Sequence, residues 1–194
     1  DIEDWGTDLS FGDDIKCGDK SYLITNMLLH MNKLYVFKED QIGTVVDEAY
    51  ALQESNLKNT PSPRNGAAVC SWNGLMYYSW LNTIMESYGG NANDIGQAWR
   101  GQGPVGNRAG YVSCILGINA WRFCALDAGA TGYSSVHVYN GQTWHELYRA
   151  PYGHRVRDLW WQHVDGSHSR LFIDLDYDVA YLEFPTDVAK PTND

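Results

Sequence analysis

Four basic side chains recur at comparable places in the chain: Lys20, Arg64, Arg108 and Arg155, each just ahead of a strand-like run. Guanidinium groups that converge can clamp a carboxylate or phosphate through paired hydrogen bonds. The same groups can equally tie one loop to an acid of a neighbouring unit, and Glu39, Asp40, Asp127 and Asp176 are placed for that. Arg64, Arg108, Arg155, Asp127 and Asp176 are therefore candidate ligand-binding residues. Trp80 and Trp161 join them, because an open indole face suits a sugar ring or a protein partner. Trp72, Trp99, Trp144 and Trp160 share that chemistry, and for every tryptophan packing between structural units is the competing use.

Other chemistries find less support. Asp174, Asp176 and Asp178 alternate, which puts them on one face of an extended segment. A calcium loop would also need a Gly at its sharp turn and a distal Glu, and both are missing. A solvated loop, its repulsion relieved by Arg170, is the expectation. The Gly-rich run from Asp127 to Tyr133 leads into no helix and so is no phosphate cradle. His145, Glu146 and His163 could do acid–base work, but strand neighbours such as His145 and Glu146 point to opposite faces. Gly-x-Ser-x-Gly is absent. Glycoside hydrolysis needs two carboxylates about 5–10 Å apart, and no pair is singled out by its surroundings. Cys17, Cys70, Cys114 and Cys124 include no C-x-x-C pair, so neither a metal nor a cofactor is expected. Cys114 and Cys124 could face each other across a hairpin, which leaves a disulfide and buried free thiols both open.

The elements that would position these groups are strands. Of 194 residues, 13% are aromatic and 20% charged, with 13 Tyr, 8 Trp and 19 Gly, a balance that suits an all-β chain with many tight turns. A net charge of −10 argues against nucleic acid as a partner. No apolar run reaches membrane-spanning length. The chain opens without Met and is polar at both ends, so it reads as a mature product or a piece of something longer.

Ser134 to Arg149 carries the clearest local signal. Val136 and Val138 precede Asn140-Gly141, and Trp144 and Leu147 follow, which predicts a hairpin on a two-residue turn. Strand pairs of the same kind recur. Tyr22–His30 and Leu34–Lys38 flank a turn at Asn32-Lys33, with Ile42–Val46 behind and a weaker strand near Tyr50–Leu52. Ala67–Trp72 and Leu75–Trp80 flank Asn73-Gly74, with Thr83–Ser87 next and a polar stretch after it. Tyr111–Leu116 and Trp121–Leu126 precede Ser135–Tyr139 and Thr143–Tyr148. Val156–Val164, Arg170–Asp174 and Val179–Phe184 close the series. The first large apolar residues of the second strands are Leu34, Leu75, Trp121 and Leu171, steps of 41, 46 and 50 residues. Four-stranded units at that period mark an all-β, β-propeller-like fold of about four four-stranded blades. A β-sandwich is the rival.

The blades are expected at about 21–60, 64–104, 108–150 and 154–185. Residues 1–20 read as a preceding strand or linker, and 186–194 as a linker or tail. Four blades could close a small ring or form part of a larger one.

Leu34 to Asp40, Ser134 to Arg149 and Arg170 to Pro185, with the Pro-Thr-Asn-Asp end, resemble uncharacterised β-propeller proteins of phage and prophage virions and of environmental microbes. That resemblance implies a secreted or virion-associated propeller with an interaction role. A thinner likeness is to sialidase-type propellers. Gly141, Thr143 and Trp144 fit their Asp-box, whereas His137 and Tyr139 stand where Ser and Asp belong. Such enzymes use an arginine cluster.

Together these readings imply a non-enzymatic structural or adhesive module, extracellular or virion-associated, that binds other protein subunits or glycans through loops. The alternatives are a sialidase-like glycoside hydrolase with an Arg-lined channel mouth and a glycan-binding lectin.

Overall fold

The computed structural model describes Cys17, Leu57 and residues 21–46, 49–52, 60–96, 110–166 and 168–185. Within them, one 3-10 turn at Gly129–Thr131 is the sole helical element, and no helix is long and apolar enough to cross a membrane. The first sheet holds β1 (Ile24–His30), β2 (Lys33–Lys38), β3 (Ile42–Val46) and β4 (Ala49–Leu52). The second holds β5 (Val69–Trp72), β6 (Leu75–Trp80), β7 (Thr83–Ser87) and β8 (Ala92–Asp94). The third holds β9 (Tyr111–Ile118), β10 (Trp121–Asp127), β11 (Ser135–Tyr139) and β12 (Trp144–Arg149). The fourth holds β13 (Val156–His163), β14 (His168–Leu175) and β15 (Val179–Pro185), three strands among the described residues.

Each sheet is an antiparallel meander in chain order. β1 lies against β5, β5 against β9 and β9 against β13, so the sheets radiate from one side like blades. This is an all-β, β-propeller-like architecture. Among the described residues, β13 makes no extended contact with β1, and the four blades form an open arc.

Three cores fill the gaps between blades. Tyr35, Phe37 and Ile42 of the first blade meet Met76, Tyr78, Trp80 and Met85 of the second. Tyr77 and Ile84 of the second meet Val112, Ile115, Cys124 and Leu126 of the third. Phe123, Ala125, Val136 and Val138 of the third meet Leu159, Leu171 and Ile173 of the fourth. The middle blades are covered on both faces. Their second strands therefore read as nearly continuous apolar runs rather than alternating ones. β14 is covered on one face only, and Ser169, Leu171, Ile173 and Leu175 alternate with less buried neighbours.

Several sequence expectations are corrected. The turn after β11 is a four-residue loop, Asn140–Thr143, and only Gly141 has positive φ (+97°). The Asn140 side chain organises it, its Oδ1 accepting from the N–H groups of Gln142 (3.0 Å) and Thr143 (2.9 Å). The turn expected at Asn73-Gly74 is present as a two-residue turn with both φ values positive (+49° and +72°), where Trp72 pairs with Leu75. A similar turn after β1 uses Met31 and Asn32, one residue earlier than expected. The polar stretch after Ser87 contains β8, whose side chains give no apolar alternation to read.

All four cysteines are free thiols. Cys114 and Cys124 lie on paired strands but in different cores. Cys124 faces the second blade and Cys114 packs toward the fourth, so the pleat of the sheet keeps them from bonding.

Candidate functional site

Tyr111 opens β9 and Asp127 ends β10, and the two are cross-strand partners. The Tyr111 hydroxyl donates to Asp127 Oδ2 at 2.8 Å. The Gly129 N–H donates to Asp127 Oδ1 at 2.7 Å, which turns the chain into the 3-10 segment. Arg155, just ahead of β13, reaches back across the blade boundary. Its Nε and Nη2 donate to Asp127 Oδ2 at 2.8 and 2.6 Å, and Nη2 also donates to the Tyr111 hydroxyl at 2.6 Å.

The Arg155 main chain is fixed by Asp176, whose Oδ2 accepts its N–H at 3.2 Å. Asp176 Oδ1 accepts from Arg157 Nε at 2.7 Å. Arg170 does not serve this aspartate loop, because it pairs with Glu183 across the sheet. Arg157 supplies the neutralising charge instead.

Arg64 arrives from the second blade and lies 4.4 Å from the centre of the Tyr111 ring. Its loop is held by the next residue. Buried Asn65 donates through Nδ2 to the carbonyls of Glu39 (2.7 Å) and Thr60 (2.9 Å) and accepts the Leu81 N–H through Oδ1 (2.7 Å). Gly66 follows at φ +65°, where a Cβ would fall 2.4 Å from Phe37 Cβ, so the close approach of the two blades requires glycine there.

Arg64, Arg155, Asp127 and Asp176 thus gather on one edge around Tyr111, a residue that the sequence did not single out. Its signal was weak: a tyrosine directly ahead of an apolar strand. Arg108 lies outside the described residues, as does Lys20. Trp80 and Trp161 are not open platforms. Trp80 is buried edge-on to Tyr78 in the core between the first two blades. Trp161 packs against Phe123 and Phe184 between the last two. Its neighbour Trp160 points the other way, as two successive strand residues must, and stacks in parallel on Phe172 with 5.2 Å between ring centres. Trp144 spans blades too, its indole N–H donating to the Ile95 carbonyl at 2.9 Å.

The electrostatics of the edge are those of a tie. Burial alone would raise the Asp127 carboxyl, but the donors on Arg155, Gly129 and Tyr111 together hold it below the usual carboxylate range. Burial, and then the adjacent Asp127 carboxylate, push the Tyr111 hydroxyl up. The carboxylate is thus kept ionised and the phenol protonated. One further arginine escaped the sequence reading. Arg122 on β10 sits 5.1–5.3 Å from the ring centres of Trp72, Tyr77 and Tyr139, with Glu86 of the second blade at 3.5 Å. A lone Arg inside the apolar run of β10 was its only trace.

No protein-family model matches the chain, and no curated protein matches it. Among solved structures it is similar to the N-terminal domain of Nup159, at 6% identity and a TM-score of 0.43, over 83% of this chain and 47% of that one. It is also similar to the Bombyx mori GH32 beta-fructofuranosidase BmSUC1, at 9% identity and a TM-score of 0.41, over 84% of this chain and 47% of that one. The chain spans about half the length of each, and no activity is carried over from either.

Proposed function

We propose that the chain is a non-enzymatic structural or adhesive propeller module of a virion or another extracellular assembly, which engages protein or glycan partners through its loops. The carrying observation is how the mouth is spent. Arg155, Asp127 and the Tyr111 hydroxyl are committed to one another, whereas the loop tyrosines on the same edge are open. Tyr177, in the turn between β14 and β15, is 93% exposed. Tyr133 and Tyr152 are both more than half exposed and meet edge to face at 5.3 Å. Loop tyrosines give broad contact area for little conformational entropy.

The test is a glycan array and a panel of chromogenic glycosides, run on the chain and on a Tyr133→Ala, Tyr152→Ala, Tyr177→Ala triple variant. The expected result is glycan retention that falls at least tenfold in the variant, with no turnover by either. Retention unchanged in the variant, or turnover of any glycoside, overturns the reading.

A second reading is favoured by one fact: Arg64 and Arg155 meet at Tyr111 with a single carboxylate, Asp127, between them. This excess of one positive charge suits an anionic sugar, as in a sialidase-like hydrolase or a lectin. It predicts sialoside turnover or binding that disappears in Arg64→Ala.

A further inference from the structure

Three Asn-Gly pairs occur in the chain, at Asn65-Gly66, Asn73-Gly74 and Asn140-Gly141. An asparagine ahead of glycine can react with its own backbone. The glycine nitrogen attacks the side-chain Cγ, ammonia leaves, and water opens the succinimide ring to aspartate or isoaspartate. Glycine favours this because it brings no Cβ against the approach. The fold treats the three pairs differently.

Asn65 is fully buried, its Nδ2 donating to two carbonyls and its Oδ1 accepting the Leu81 N–H. Its amide cannot turn without leaving those groups unpaired. Asn73 is exposed but left-handed, with φ +49°. In that region ψ is about +47°, which sets the following nitrogen trans to the side chain and away from Cγ. Pairing of Trp72 with Leu75 holds the turn there.

Asn140 is exposed and lies outside the left-handed region. Its Oδ1 accepts two backbone N–H groups, from Gln142 and Thr143, which polarise the amide as an oxyanion hole does. On the other side of the amide, His145 Nε2 lies 3.3 Å from Nδ2. In the tetrahedral intermediate Nδ2 is an amine, and an imidazolium at that place hands it a proton as it departs. The Gly141 N–H, the nucleophile, donates to no acceptor among the described residues. No atom lies within 4 Å of where a Gly141 Cβ would stand, so the peptide has room to rotate toward Cγ.

We propose that Asn140 is a self-modifying site, converted to aspartate and isoaspartate with His145 as general acid. The Gly141 nitrogen gives its proton to water, the N–Cγ bond forms and the Cγ–Nδ2 bond breaks; water is the only other reactant. The product carries one more negative charge, and isoaspartate adds a methylene to the backbone of the loop. Ser135, at the other end of β11, is the residue that pairs beside Asp127, so the Tyr111 edge is left as it is. The inference does not depend on the partner class proposed above.

The test is incubation of the chain in neutral buffer for weeks, native and in urea, followed by peptide mapping with electron-transfer fragmentation. The expected result is conversion at Asn140 at least tenfold faster than at Asn65 or Asn73 in the native chain, and comparable rates at all three in urea. His145→Ala, at an exposed position and checked by circular dichroism, should slow Asn140 at least threefold in the native chain alone. The comparison of the three sites needs no variant, and it decides the matter should His145→Ala not fold. Asn140 that stays intact while the urea sample converts overturns the proposal, as does a native rate at Asn73 that equals or exceeds it. A preference that persists in urea also overturns it, because local sequence would then select the site. So does an unchanged rate in folded His145→Ala, in which case the imidazole takes no part.

Discussion

Arg155 Nη2 lies 2.6 Å from Asp127 Oδ2 across the boundary between the third and fourth blades, and the carboxylate of this pair is fully buried. The blades are joined there by a charge-assisted contact at their edge as well as by the apolar core behind it.

Asp127 should accordingly govern stability in acid. Its carboxyl is held below the unfolded value of about 3.9, so its contribution is present above that pH and is lost as pH falls through the folded value. Asp127→Ala is expected to cost about 2–3 kcal/mol at neutral pH. It should also flatten the fall in stability between about pH 5 and pH 2. Urea midpoints across that range check both; parallel curves for wild type and variant would count against the assignment.

Arg122 is expected to act as a flat cation rather than as a simple charge. Arg122→Ala should lose about 2 kcal/mol or more, since the guanidinium is withdrawn from three rings and Glu86 is left without it. Arg122→Lys keeps the charge but not the planar stacking, and should restore less than half of the loss. Urea unfolding of the three proteins gives the comparison.

Gly117 leaves room for Trp72. A Cβ at that position would sit 2.3 Å from the base of the indole, too close for the side chain to swing aside. Gly117→Ala should therefore cost about 1–3 kcal/mol. Trp72→Ala removes the clashing Cγ, so the double variant should lose less than the two single variants summed, a coupling that unrelated sites would not show. Thermal melts of the single and double variants measure it.

Repetition was what made the fold legible in sequence. Leu75–Trp80, Thr83–Ser87, Ile42–Val46 and Ser135–Tyr139 have the bounds that alternation and turn residues suggest. Strand β8 was hidden because three residues, Ala92–Asp94, carry no hydrophobic period. The loop after β11 was misjudged because Asn140 can organise a turn through its side chain as readily as through its own φ. The edge cluster was half legible. Arginines ahead of strands and Asp127 at the end of one were visible by position, but Tyr111 gains its role only when pairing sets it opposite Asp127. Trp80 and Trp161 illustrate the limit. Residue type shows that an indole can serve as a platform, and only the facing blade decides that it is covered.

Because, among the described residues, each blade packs extensively against its sequence neighbours alone, the molecule is a linear array in its energetics. Hairpins form from local contacts, and each added blade contributes one intrinsic term and one interface term. The inner two blades collect two interface terms apiece and the terminal two collect one. Loss of structure should therefore run inward from the ends, with the third blade, fastened by Arg122 on one side and Asp127 on the other, the last to go.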